Sequence, residues 1–289
     1  MSDESKKIDE ATGVETTGHS WDGIEELNNP LPRWWLWTFY GTIIWGAIYT
    51  ILYPAWPLVD RATAGILGYS TRAQVAEEIA AFEEANAEIA ARLASADLST
   101  LTPDDPAYRY GVAGGAAVFR ANCSQCHGAG AAGARGYPNL LDDDWLWGGD
   151  LEAIEYTVRH GIRNDSDPDA RWSQMPAFKD MFSKEEIAAT AEYVLKISGQ
   201  EHDATLAAEG AILFEEQCSG CHGLEGEGNR DLGAPALNDA IWLYGGDRDT
   251  VIETITNARF GVMPAWGPRL SEDEIKAVTL YVHQLGGGE

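Results

Sequence analysis

Two cysteine motifs of identical spacing carry the residues best suited to chemistry. They consist of Cys123, Cys126 and His127 in the first copy, and of Cys218, Cys221 and His222 in the second. The C-x-x-C-H spacing lets one helical turn present two thiols and an imidazole, which is the pattern for covalent attachment of a c-type haem with histidine as an axial iron ligand. A zinc site would need two more Cys or His ligands per motif, and none is well placed. Because the chain has four cysteines in all, the sequence predicts two covalently bound haem c groups and no disulfide.

A second axial ligand for each iron is expected from methionine. Met175 and Met263 are both followed by Pro-Ala, 48 residues after His127 and 41 residues after His222. We therefore expect His127 to pair with Met175, and His222 with Met263. Met181 is the alternative in the first half, but it has no counterpart in the second half, and core packing explains it better. Iron with both axial positions filled cannot bind oxygen or peroxide, so the pattern indicates outer-sphere electron transfer and argues against a di-haem peroxidase.

Other residues are candidates for supporting roles. Pro138 and Pro235 follow the two motifs at points where a backbone carbonyl would accept the N–H of the axial imidazole. Arg159 and Arg259 are candidates for binding a haem propionate, with a solvated surface position as the alternative. No residue pattern indicates a catalytic site, so any enzymatic activity is expected to belong to a larger complex.

The chain from about residue 107 onward repeats itself, which indicates how these residues are positioned. Residues 115–119, 145–150 and 183–194 match residues 210–214, 242–247 and 271–282, and the first copy carries nine extra residues in the polar stretch 163–173. We interpret the copies as two tandem domains, residues 107–200 and 201–289. Each copy is small for a self-supporting core, and a buried haem would supply the missing apolar contacts. The expected fold class is all-α.

The residues before the repeat divide into three parts. Residues 1–30 are polar, acidic and without periodicity, so we expect a mostly disordered cytoplasmic tail. Between Arg33 and Asp60 there is no charged residue, and 20 helical residues would span about 30 Å, with aromatic residues at both interfaces. Residues 31–57 are therefore predicted to form one transmembrane helix, an uncleaved signal-anchor. We expect residues 58–106 to form a periplasmic connector with an amphipathic helix at residues 71–95.

The formal net charge of −26 argues against a nucleic-acid partner, because phosphate binding needs clustered Lys and Arg. An acidic surface could instead steer a basic protein partner. The charges beside the apolar stretch do not fix its orientation, but c-type haem is attached outside the cytoplasm in bacteria. We therefore expect a single-pass protein of the bacterial inner (cytoplasmic) membrane with its haem domains in the periplasm.

Two resemblances extend this interpretation. Residues 108–285 resemble two class I cytochrome c domains, and residues 22–35, 158–163, 174–178 and 257–266 resemble the membrane-anchored di-haem cytochrome c subunit (subunit III) of cbb3-type cytochrome c oxidases. The resemblance implies that a soluble or membrane cytochrome c donates electrons, which pass through both haems to a mono-haem cytochrome c subunit. They continue to the catalytic haem–copper subunit, where oxygen is reduced to water with proton pumping. The alternatives are a membrane-anchored di-haem cytochrome c not tied to an oxidase, and the haem subunit of a periplasmic dehydrogenase.

Overall fold

The computed structural model describes residues 7–289, which divide into two compact units between Glu84 and Ala85. The strands are β1 (Thr16–Trp21) and β2 (Ile24–Leu27), and the helices are α1 (Arg33–Leu52), α2 (Thr71–Ser95), α3 (Pro106–Asn122), α4 (Ser124–His127), α5 (Leu151–His160), α6 (Lys184–Ile197), α7 (Ala204–Gln217), α8 (Ser219–His222), α9 (Arg248–Asn257) and α10 (Glu272–His283). Short 3₁₀ turns occur at Leu98–Thr100 and Phe178–Asp180. The described chain is mainly helical, as the sequence predicts.

The first unit begins with a β-hairpin. Strands β1 and β2 pair antiparallel, with Trp21 opposite Ile24. The turn residues Asp22 and Gly23 both have positive φ, 51° and 84°, which matches the two-residue turn that hairpins favour. The prediction of a mostly disordered segment over residues 1–30 is therefore wrong for the hairpin, and residues 1–6 lie outside the described part of the chain.

Helix α1 is the candidate membrane span. It covers 20 residues, and none of its residues is buried within the protein. Tryptophans cluster at its start and tyrosines at its end, as in the aromatic belts of membrane helices. Within residues 7–289, α1 is the one helix long and apolar enough to cross a membrane, which agrees with the predicted span.

The second unit contains two helical modules that exchange a helix. The last helix, α10, packs against α3 and α5, whereas α6 packs against α7 and α9. We call α3, α4, α5 and α10 the first module, and α6, α7, α8 and α9 the second module. The predicted boundary at residue 200 therefore does not separate the packing units. The helix that ends each sequence repeat packs with the motif of the other repeat.

Each module has its own apolar core. Phe119 of α3 and Phe214 of α7 are both 1% exposed, and each contacts a tyrosine of the exchanged helix. The ring centroids of Phe119 and Tyr281 are 5.5 Å apart, and those of Phe214 and Tyr193 are 5.0 Å apart. The first core also contains Ile154, Val158, Ile275, Val278 and Val282, and the second contains Phe178, Ile187, Val194, Val251 and Ile255.

A repeated glycine lets each helix pair cross closely. A Cβ added at Gly115 would lie 2.1 Å from the carbonyl oxygen of Ala277, and one added at Gly210 would lie 1.9 Å from that of Ala189. Real Cβ atoms essentially never come within 3.0 Å of such an atom. The backbones of α3 and α10, and of α7 and α6, therefore touch at these glycines, and the two modules share one internal geometry.

The C-terminal end of α2 closes the first module. Leu93 is fully buried and packs with Leu98, Ala277 and Leu280. The Nζ of Lys276 on α10 also donates a hydrogen bond to the carbonyl of Ala96, at 2.6 Å. The bounds of α2 agree with the amphipathic helix predicted over residues 71–95.

Candidate haem sites

The first module contains a cavity that holds the whole first cysteine motif. Cys123, Cys126, His127 and Met263 all line it. Most of the remaining lining is apolar, including Phe119, Leu140, Trp145, Ile154, Val158 and Val278. Helix α4 follows directly on α3, and the backbone N–H of His127 donates to the carbonyl of Cys123 at 3.0 Å. The motif thus forms the single helical turn that its spacing predicts.

The second module contains a matching cavity. Cys218, Cys221, His222 and Met175 line it. Its apolar lining includes Phe178, Val194, Leu237, Trp242, Val251 and Ile255. The backbone N–H of His222 donates to the carbonyl of Cys218 at 2.9 Å, so the same helical turn presents the second motif.

Both motif histidines are held by a proline carbonyl. The Nδ1 atom of His127 lies 3.0 Å from the oxygen of Pro138, and that of His222 lies 3.0 Å from the oxygen of Pro235. A carbonyl can only accept, so Nδ1 carries the proton and Nε2 keeps its lone pair. Burial lowers the pKa of both histidines, although the proline carbonyls oppose it. The imidazoles are therefore neutral at pH 7, as iron ligation requires, and the predicted carbonyl acceptors are confirmed.

The four thiols are free, and each motif has one partly buried and one exposed cysteine. Burial raises the pKa of Cys123 and Cys218 to about 11, and the second cysteine of each motif adds to the rise. These two thiols are therefore uncharged at neutral pH. Each cavity offers two sulfurs on one helical turn, a neutral imidazole and a methionine thioether, which is the donor set of a covalently attached haem with His/Met ligation.

The two methionines are exchanged relative to the sequence prediction. Met263 lines the cavity of His127 and packs against the first core, whereas Met175 lines the cavity of His222 and packs against the second core. The expected pairing of His127 with Met175, and of His222 with Met263, is therefore corrected. The physical reason is that each exchanged helix, α6 or α10, takes the methionine loop before it into the other module.

Residues of the first repeat hold the Met263 loop in place. The backbones of Ile162 and Met263 exchange two hydrogen bonds of 3.0 and 2.9 Å, and the side chain of Asn164 donates to the carbonyl of Met263 at 3.2 Å. Gly161 has a positive φ of 71°, and a Cβ added there would lie 2.4 Å from the same carbonyl oxygen. The crossing of the two chain segments is thus built into their backbones.

The positions of Met181, Arg159 and Arg259 decide between the alternative roles that the sequence left open for them. Met181 is 57% exposed and lines neither cavity, so the prediction that it packs in the core is wrong. The guanidinium of Arg159 forms ion pairs with Glu155 at 2.8 Å and Glu272 at 2.7 Å and also lies outside both cavities. Arg259 lines the second cavity and remains the better propionate candidate of the two.

Trp147 tests whether a haem suits the first cavity. Its side chain lines the cavity and is 8% exposed, and its Nε1 is buried without a hydrogen-bond partner among the described residues. A buried N–H without an acceptor costs about 1–3 kcal/mol, so this position suits a group that brings an acceptor. Haem propionate oxygens are such acceptors, and the residues present therefore fit a haem. Sequence reasoning missed this role, although Trp147 is matched by Tyr244 in the second repeat.

One layer of protein separates the two cavities. Leu146, Arg163, Leu243 and Gly261 line both of them, and the backbone N–H of Gly136 donates to the carbonyl of Leu243 at 2.7 Å. Sequence reasoning assigned no role to Arg163, because it lies at the edge of the polar stretch that the second repeat lacks.

Comparison with known families agrees with this architecture. Residues 13–60 match the N-terminal domain of the cbb3 cytochrome oxidase protein FixP, and residues 111–194 and 205–282 match subunit III of cbb3-type cytochrome c oxidase. The chain belongs to the cbb3-type oxidase subunit III family. The two matched segments of subunit III contain one cysteine motif each.

Curated relatives cover the subunit III chain almost completely. The cbb3-type cytochrome c oxidase subunit CcoP of Cereibacter sphaeroides is 61% identical over 276 residues, which is 95% of each chain. The FixP subunit of Azorhizobium caulinodans is 52% identical over 98% of this chain and 96% of its own, and that of Sinorhizobium medicae is 48% identical over 100% of both.

Membership of the subunit III family confirms the resemblance drawn from the motifs. The cytochrome c domains of this family imply that the chain binds haem c. Because the family consists of oxidase subunits, membership also implies that the chain forms a complex with other oxidase subunits. Helix α1 is consistent with anchoring of the chain in a membrane.

Proposed function

We propose that this chain is the electron-transfer subunit of a cbb3-type terminal oxidase. It takes electrons from a donor cytochrome c and relays them through two haem c groups toward the catalytic haem–copper subunit, with a mono-haem cytochrome c subunit between. Family membership supports the oxidase context. The two matching cavities, separated by one layer of residues, support the relay.

The observation that carries the proposal is the donor set of each cavity. Cys123 and Cys126, with His127 and Met263, would hold one haem. Cys218 and Cys221, with His222 and Met175, would hold the other. No donor has to come from another chain, so one polypeptide accounts for two complete sites.

A bound haem c supplies a one-electron iron couple. The cysteines would fix it covalently, the apolar walls would exclude water, and the histidine and methionine of each cavity would both ligate its iron. With both ligands in place the iron would bind no oxygen, so we assign the reduction of oxygen to another subunit. Methionine ligation also raises the reduction potential relative to two histidines, which suits a carrier that feeds an oxidase.

The proposed arrangement places α1 in the bacterial inner membrane and the haem modules in the periplasm. Attachment of c-type haem outside the cytoplasm supports this orientation. The net charge of −26 supports a basic cytochrome c as the donor, because opposite charges speed protein encounter.

The test is purification of the full chain from its membranes in mild detergent. We expect an intact mass that equals the polypeptide plus two haems, together with copurifying haem b and copper. In the purified complex, His127→Ala or His222→Ala should stop oxygen reduction driven by cytochrome c. The control His202→Ala lies outside both cavities and should leave it unchanged. A chain that purifies without haem b and copper, or that keeps full cytochrome c oxidation after loss of either histidine, would contradict the proposal.

A further inference from the structure

Arg163 is the charged residue of the layer between the two cavities. The other three residues that line both cavities are Leu146, Leu243 and Gly261, and none carries a charge. A cation at this point lies beside both haem sites in a mostly apolar wall, where its electrostatic effect is screened less than in water.

Neutral groups hold the guanidinium of Arg163. Its Nε donates to the carbonyl of Gly261 at 2.8 Å, and its Nη1 donates to the carbonyl of Ser173 at 2.9 Å. Its Nη2 has no hydrogen-bond partner in the described part of the chain, and no carboxylate of residues 7–289 lies within ion-pair distance of it. Burial lowers the pKa of Arg163, with a smaller opposing effect from Tyr244, yet arginine stays charged in proteins.

Three other arginines of the modules have acidic partners, whereas Arg171, which also lacks one among the described residues, lines neither cavity. Arg159 pairs with Glu155 and Glu272, Arg248 pairs with Glu192, and Arg259 pairs with Glu253 at 3.2 Å. A partly buried cation without an acid is unfavourable unless a negative group joins it. The acidic groups that a haem brings into such a cavity are its two propionates.

The backbone of Arg163 is also unusual. Its φ of 50° is left-handed, which is uncommon outside glycine. Its N–H donates to the carbonyl of Arg171 at 2.8 Å, and the neighbouring Ile162 pairs with Met263. The chain therefore holds Arg163 at the crossing of the two repeats in a conformation that free residues avoid, as is common where a side chain has a function.

We propose that Arg163 is a cation shared by the two haem sites, which binds propionate and raises the reduction potentials of both haems. A positive charge favours the reduced iron, because reduction adds one electron to each site. This inference rests on the proposed occupancy of both cavities by haem c.

The experiment is a spectroelectrochemical titration of the full-length chain in detergent, after its mass has shown two haems. Arg163→Gln should lower both midpoint potentials, each by about tenfold in the equilibrium constant for reduction, or about 59 mV for one electron. Arg163→Lys keeps a charge and should recover part of both shifts. Arg259→Gln, at a residue that lines the second cavity alone, should lower one midpoint.

Two further measurements separate charge from structure. The far-red absorption band of methionine-ligated ferric haem should persist in every variant, which shows intact ligation. Arg163→His should make both midpoint potentials more dependent on pH than in the unmodified chain. The histidine would gain and lose its charge with pH, so the effect of the charge would be measured within one folded variant.

If both haems titrate but Arg163→Gln shifts the midpoint potential of one haem or of neither, the proposal of a shared cation is overturned. The proposed electron relay would not be affected by that result. The shared cation would also be overturned if the midpoint potentials of Arg163→His depended on pH no more than those of the unmodified chain. A chain that holds fewer than two haems would instead overturn the proposed function, and the shared cation with it.

Discussion

Substitution of Gly115 by alanine tests the close crossing of α3 and α10. The added Cβ would lie 2.1 Å from the carbonyl oxygen of Ala277 and 2.5 Å from its carbon. Both are backbone atoms, so α10 must move by about 0.9 Å to restore the 3.0 Å limit. Overpacking of this kind costs about 1–3 kcal/mol, and a backbone clash favours the upper end. Alanine returns about 1 kcal/mol through helix propensity, so we expect a net loss of about 2 kcal/mol.

Gly114→Ala is the matched control. Gly114 lies next to Gly115 in the same helix, and a Cβ added there meets nothing within 4 Å. The free energy of unfolding of Gly114→Ala should rise by about 1 kcal/mol through helix propensity. The two variants should therefore differ in their free energy of unfolding by about 3 kcal/mol. For a unit of this size that corresponds to a difference of about 6–12 °C in Tm, measured by circular dichroism of the haem-loaded chain. If Gly115→Ala melted at or above Gly114→Ala, the described contact between α3 and α10 would be refuted.

Three further predictions concern ligands, charge and the membrane. In a chain that keeps the first haem alone, made by Cys218→Ala and Cys221→Ala, Met263→Ala should abolish the far-red methionine band and Met175→Ala should preserve it; the reverse result would refute the exchange. Burial raises the pKa of Asp144 to about 6, with Asp239 and Asp142 adding to the rise and Arg230 opposing it. Folding thus favours the protonated form, and stability falls as pH rises through this range. Asp144→Asn should therefore stabilise the chain against urea unfolding by about 1–2 kcal/mol above pH 6 and by nothing near pH 3. Asp143→Asn, at an exposed neighbour that makes the smallest contribution to the raised pKa of Asp144, should stabilise the chain by less. Ile44→Arg, near the middle of α1, should oppose membrane insertion by about 3 kcal/mol and shift the chain to the soluble fraction, while Ile8→Arg should leave it in the membrane; equal partitioning of both would contradict the span.

Local patterns in the sequence predict much of the fold and the composition of the candidate haem sites. The uncharged stretch after Arg33 and the periodicity of residues 71–95 correspond to α1 and α2, because single helices depend on local sequence. The cysteine motifs and the carbonyls of Pro138 and Pro235 are likewise local, since each histidine bonds a residue 11 or 13 positions away.

Exchange between the repeats could not be read from the sequence. Met175 and Met263 occupy equivalent positions, and so do Ala189 and Ala277 at the two close helix crossings, so these shared contacts do not distinguish one module from the other. Self-contained and exchanged packing therefore satisfy the same pattern. The difference lies in long-range contacts such as the pairing of Ile162 with Met263, which no spacing encodes. The hairpin, by contrast, had a local signal in Asp22-Gly23 that the polar composition obscured.

The helix exchange also sets the order in which the chain can become complete during biosynthesis. Every helix of the second module ends by Asn257, whereas the first module needs α10, which ends at His283. The module that begins earlier in the chain is thus finished later, against the usual N-terminal-first order of domain folding. A nascent chain that ended between residues 261 and 272 would carry every helix of the second module but would lack α10 of the first module.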